Sequence, residues 1–191
     1  ASENSNGKLD LKYLRNRPQY NSGIPSIEGP YPLTVLNSTA DDAYFSVNLT
    51  QDTAYFCSSA GGNFSIYMKA KPANMDLATW FSQAATAPVL VDSVNSSGND
   101  KCPQVMQKLM VFASDRPGGT GGYDLYYSIQ KKGKWSSPIN FGPRINSPYN
   151  EYRPVIGWHR DFSNLLLLFS SDIPGGQGGY DLYYTGVEIK W

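Results

Sequence analysis

The sequence predicts an all-β protein, a small β-propeller of four-stranded antiparallel blades, on three observations. FASDRPGGTGGYDLYY at Phe112–Tyr127 returns as FSSDIPGGQGGYDLYY at Phe169–Tyr184, an offset of 57 residues (172 − 115, Asp to Asp) without a gap. A repeat of that length marks one supersecondary unit copied along the chain. Fourteen Tyr, eight Phe and four Trp, with 18 Gly and 13 Pro, describe many short strands joined by tight turns. The predicted strands are also apolar on both faces. One such sheet cannot shield both faces alone, whereas radial stacking does so and leaves only short edges.

Within Tyr123–Tyr127, alternation places Tyr123, Leu125 and Tyr127 on one face and Asp124 and Tyr126 on the other. The glycines of each connection, Gly118, Gly119, Gly121 and Gly122 in one copy and Gly175, Gly176, Gly178 and Gly179 in the other, suit a close turn. The run LLLLF at Leu165–Phe169 is far shorter than the ~18–20 residues of a membrane helix and reads as a strand covered on both faces.

A second motif marks the unit boundaries. Asn37-Ser38 precedes Asp41-Asp42, Asn95-Ser96 precedes Asn99-Asp100, and Asn146-Ser147 precedes Asn150-Glu151, each followed by an apolar strand. Short polar side chains there fix a turn by bonding neighbouring backbone N–H groups. The chain thus divides into a leader and partial repeat (1–36), unit one (37–94), unit two (95–145) and unit three (146–191), all in one domain. Gly7–Tyr13 (GKLDLKY) is a partial copy of GGYDLYY. About three and a half units suggest a ring of four blades, with the N-terminal strands completing it beside unit three; the alternatives are an incomplete ring and one closed by a second chain. Met75–Gln83 reads as a short helix or an elaborated fourth strand, and Pro88–Val94 as extended.

INSPYNEYRPVI, LLFSSDIPGGQGGYDLYYT and KGKWSSPINFGPRINS resemble the TolB-like, WD-repeat-like propeller repeats of Gram-negative envelope proteins. The resemblance implies an exported chain in the periplasm or at the cell surface, associated with the outer membrane. Such repeats often precede an OmpA-like peptidoglycan-binding module, which this sequence lacks. Gly157–Asp161 (GWHRD) also stands where a Ser-Pro-Asp-Gly turn is usual in the family. The sequence starts at Ala1, and its polar opening ASENSNGK is expected to be the flexible leader left by signal or lipoprotein cleavage, with room for a lipid anchor.

Composition narrows the function. Sixteen basic and sixteen acidic residues balance to zero, which favours neither nucleic acid nor an anionic membrane surface. The Gly-rich loop leads into a strand, whereas a phosphate cradle opens a helix. Asp115 with Asp124, and Asp172 with Asp181, flank the loops and could supply oxygens to Ca²⁺. Unit one has Ser59 and Ser65 in the matching places, so Asp115 and Asp172 are expected to bond loop N–H groups instead, and no metal or cofactor is expected. The one histidine, His159, excludes a multi-His metal site and reads as a solvated turn residue. Cys57 and Cys102 permit one disulfide between neighbouring blades in an exported protein.

The expected function is a non-enzymatic, exported scaffold binding a protein or a glycan, with tyrosines and tryptophans on its surface. One alternative is a propeller glycoside hydrolase using Asp42, Asp100 and Glu151 at the entrances of the first strands. Their equivalence argues against it, because acid and base need different environments. Another alternative is a structural spacer in a larger envelope assembly.

Overall fold

A computed structural model describes residues 1–17 and 26–190 of the chain. The predicted partial unit at 1–36 includes residues 18–25, which lie outside the described residues, as does Trp191. The fold is all-β: a row of antiparallel blades stacked side by side, the arrangement of a propeller. At the N-terminus β1 (Ser2–Glu3) pairs with β2 (Leu9–Asp10), and β3 (Lys12–Arg17) with β4 (Ser26–Pro32). Unit one is a four-stranded sheet in chain order, β5 (Asp42–Val47), β6 (Thr53–Gly61), β7 (Asn63–Ala70) and β8 (Val89–Leu90). Unit two runs through β9 (Asp100–Met106), β10 (Leu109–Ser114) and β11 (Asp124–Lys131). Its outer strand is split into β12 (Lys134–Trp135) and β13 (Ile139–Asn140), both paired with β11. Unit three has β14 (Glu151–Gly157), β15 (Leu165–Ser171) and β16 (Asp181–Val187).

Strand alternation explains the stacking. In β6, Ala54 and Phe56 point into one core and Tyr55 and Cys57 into the next. In β10, Met110 and Phe112 face unit one, while Leu109, Val111 and Ala113 face unit three. Three apolar cores therefore lie between four consecutive sheets. A buried side chain such as Phe112 contributes about 1.5–3 kcal/mol relative to exposure. Met75–Gln83 resolves into a short helix, α1 (Leu77–Phe81), capped by Asp76, which accepts the Thr79 N–H at 3.0 Å. It drives Trp80 and Phe81 into the core shared with the N-terminal strands.

Three sequence expectations need correction. Among the described residues the N-terminal strands pack against unit one, where Leu11 and Leu33 join Phe56 and Trp80, and do not cover the outer face of unit three to complete a ring. Leu165–Phe169 is covered on one face only: Leu165, Leu167 and Phe169 are buried, whereas Leu168 is exposed because no sheet among the described residues packs on that side. Cys57 and Cys102 are unbridged, although the Cys57 thiol lies against the backbone N–H of Cys102. Burial pushes both thiols up, Cys102 to about 12, which keeps them protonated and weakly nucleophilic.

Candidate functional site

The first strands of the units, β5, β9 and β14, lie side by side and line the axis of the stack. Each carries a register shift and one non-glycine residue with positive φ: Tyr44 at 55°, Cys102 at 57° and Arg153 at 50°. All three stand seven positions after the boundary asparagine (44 − 37, 102 − 95, 153 − 146). A left-handed conformation at an L residue costs roughly 1–2 kcal/mol, so the bulge is imposed by its surroundings. It was missed in the sequence because no Gly or Asn marks it. Beneath the bulges a cavity of 170 Å³ is lined from all three first strands, including Tyr44, Cys102, Gln104 and Arg153.

Around the bulges gathers a cluster of tyrosines centred on Tyr152. Its ring is 5.8 Å from Tyr44, 5.1 Å from Tyr123 and 6.4 Å from Tyr180. Its hydroxyl donates to the Tyr44 hydroxyl at 2.9 Å. Arg153 lies over the rings of Tyr44 and Tyr152, and Lys101 over Phe64 and Tyr123. Burial, followed by nearby negative groups, pushes the hydroxyls of Tyr123, Tyr152 and Tyr180 upward, so they stay neutral donors. A rim of aromatic faces, hydroxyls and fixed cations suits a ligand with alternating apolar and hydroxylated surface. Beside it, a larger cavity of 530 Å³ runs from Arg153 and Tyr44 to Leu9, Leu11 and Lys12.

The entrance acids are buried rather than convergent on the axis. Asp42, Asp100 and Glu151 are each fully buried and accept hydrogen bonds from the backbone N–H and hydroxyl of the serine four residues earlier, Ser38, Ser96 and Ser147. This is the turn-fixing role expected of the motif, yet the three are not equivalent. Asp100 is paired with Arg116 at 2.6 Å. Glu151 takes a further bond from the Ser171 hydroxyl at 3.0 Å. Among the described residues Asp42 has neither a cation nor a completed shell: Oδ2 is committed to Ser38, and Oδ1 is buried without a hydrogen bond in bonding geometry. Burial holds its carboxyl above the usual range, against the opposing pull of the Ser58 hydroxyl and then of Ser38. Asp42 also borders a 310 Å³ cavity with Phe56, Tyr67 and residues 85–88. The preceding residue, Asp41, is held below the usual range by the Leu9 N–H and then by Lys8.

The loop residues take structural parts. Asp124 accepts the N–H groups of Thr120 at 2.7 Å and Gly121 at 3.0 Å, and both oxygens of Asp181 share the single backbone N–H of Gln177. The expectation that Asp115 and Asp172 do this is corrected. They bond Asn99 and Asn150 instead, through both backbone and side-chain N–H groups. Those bonds hold Asp172 below the usual carboxylate range. The candidate calcium pairs are therefore split between two tasks, and among the described residues no group of three or more His, Cys, Asp or Glu is placed to hold a metal. His159 is in an exposed turn, 3.6 Å from the Asp161 carboxylate.

The boundary asparagines sew the units together. Asn37, Asn95 and Asn146 each accept a backbone N–H and donate to the same residue's carbonyl, on Leu11, Ile66 and Leu125 respectively. Four residues later, Asp41, Asn99 and Asn150 accept the N–H of Leu9, Phe64 and Tyr123. Every seam thus holds two alternate residues of the preceding unit's third strand.

No family model and no curated protein matches this chain. Among solved structures it is similar to a thermostable family-43 glycoside hydrolase, with 13% identity over 95% of this chain and 70% of that one and a TM-score of 0.58. It is also similar to the endo-arabinase of Bacteroides thetaiotaomicron, with 15% identity over 96% of this chain and 73% of that one and a TM-score of 0.59. At such identity the likeness establishes the propeller fold. Both neighbours bear enzyme names, so the expectation of a non-enzymatic chain, drawn from the repeat, is not supported by the structures this fold resembles.

Proposed function

We propose that this chain acts on carbohydrate by cleaving glycosidic bonds, with Asp42 as the proton donor to a glycan held in the cavity it borders. The observation that carries the reading is the broken symmetry of the entrance acids. Asp100 and Glu151 are saturated, whereas Asp42 is held toward its protonated form. A carboxyl whose ionised form is disfavoured by burial is suited to donating a proton. Oδ2 of Asp42 is occupied by Ser38, so Oδ1 is the atom left to carry the proton. Arabinan, the polymer suggested by one structural neighbour, is the first substrate to try. The envelope-type repeats add to the proposal an exported location.

The test is reducing-sugar release from arabinan and from a panel of aryl glycosides. Asp42→Asn is expected to lower turnover by about 10²-fold or more, the ordinary weight of a general acid. Turnover absent from the wild-type chain on every substrate, or equal in wild type and Asp42→Asn, removes the reading.

A further inference from the structure

The seams between units are counted differently from their two sides. Three boundary motifs exist, at Asn37, Asn95 and Asn146, and all three are engaged. Four third strands offer the surface such a motif grips: Leu9 and Leu11, Phe64 and Ile66, Tyr123 and Leu125, and finally Tyr180 and Leu182. Leu125 is 0% exposed and its copy Leu182 is 81% exposed. Leu168, Val155 and Tyr184 stand on the same face of unit three, joined through the β14–β15 and β15–β16 pairings, and all are exposed.

The glycines give a second, independent sign. A Cβ on Gly121 would fall on the carbonyl oxygens of Ser147 and Tyr149, and one on Gly122 on the Asn150 side chain. Unit two therefore needs its glycines because the next unit's turn crosses them. Unit three keeps Gly178 and Gly179 at the same places, yet a Cβ on Gly179 would meet nothing within 4 Å and one on Gly178 only the Tyr180 carbonyl at 3.9 Å. The face is shaped for a turn that residues 1–191 do not supply.

We infer that the open face of unit three is a docking surface for one more repeat of this kind. The occupant is a polypeptide outside residues 1–191 that enters through an Asn-Ser turn followed by an Asx-acid pair and an apolar strand. Its asparagine would accept the N–H and donate to the carbonyl of Leu182, its second Asx would accept the Tyr180 N–H, and its sheet would cover Leu168, Leu182 and Tyr184. A second copy of this chain has no such motif to spare, since each is already bonded within its own chain.

The repeat offset supplies the probe. Val187 corresponds to Gln130 (187 − 57), so residues 1–187 followed directly by a second copy of residues 131–191 continue the repeat in phase. In this extended chain the Leu182 and Tyr180 amides should exchange with solvent more slowly by about tenfold or more. The melting temperature should rise above that of the parent. Asn146→Ala made only in the appended copy should reverse both effects while leaving the parent units folded. Unchanged amide exchange in the extended chain overturns the inference, as does exchange slowed equally with and without the appended asparagine. It is also overturned if the parent chain is an oligomer by light scattering with Leu182 already protected, which would make a second copy the occupant.

Discussion

The hairpins of units two and three, Phe112–Tyr127 and Phe169–Tyr184, are nearly the same sequence in opposite circumstances. Leu125 is at the centre of an apolar core, and Leu182 faces solvent. Gly121 is crossed by the backbone of the next unit, and Gly178 is not. Local sequence thus makes the hairpin, while the value of each side chain is set by what is stacked on it. Unit three forms its three strands with one face uncovered because β15 still buries Leu165, Leu167 and Phe169 against unit two.

Substitutions at paired positions put the comparison at risk. The largest effect is expected at Arg116, which neutralises the buried Asp100 and lies over Phe112 and Tyr126. Arg116→Ala leaves that carboxylate unpaired and should cost about 3–5 kcal/mol in denaturant unfolding. Ile173→Ala, at the matching place in unit three, should cost far less. Next, Leu125→Ala is expected to cost about 2–5 kcal/mol. Leu182→Ala should stay within about 0.5 kcal/mol of wild type. Equal losses at the two leucines would show that the unit-three face is covered in solution. Gly121→Ala should lower the melting temperature clearly, because backbone oxygens occupy the space, whereas Gly178→Ala should barely move it.

The smallest effects are electrostatic and of opposite sign. The raised carboxyl of Asp42 contributes stability below its unfolded value of 3.8, and that contribution is lost as pH rises through the folded value. Asp42→Asn should therefore melt at a temperature closer to wild type, or above it, at neutral pH than at pH 3. Asp172 is lowered by the Asn150 N–H groups, so its contribution is present above 3.8 and lost as pH falls through the lower folded value. Melting curves of Asp172→Asn should converge on wild type in acid.

Much of the fold could be read from the chain because the repeat is covalent information. The offset of 57 residues (172 − 115) located the strands, and the Asn-Ser boundaries located the turns. The split outer strand of unit two and the helix at Leu77–Phe81 were less legible, since both lie where the units differ. Position along the row was not legible: the partial copy at Gly7–Tyr13 was recognised, but which neighbour it would choose depends on the asparagine that grips Leu11. Asp42, Asp100 and Glu151 were singled out as equivalent, and their inequality rests on residues 16 to 20 positions away, Arg116 and Ser171. The axial tyrosines were counted in the composition without being assembled, because their meeting crosses three units.

The left-handed bend at Tyr44, Cys102 and Arg153 has a consequence for how such a protein diversifies. The main chain is bent alike in all three strands, while a phenol, a thiol and a guanidinium occupy the bend. Skeleton and chemistry are thereby decoupled at one address per copy. Each duplication hands the lineage a fresh axial slot whose tenant can be exchanged without redrawing the frame around it.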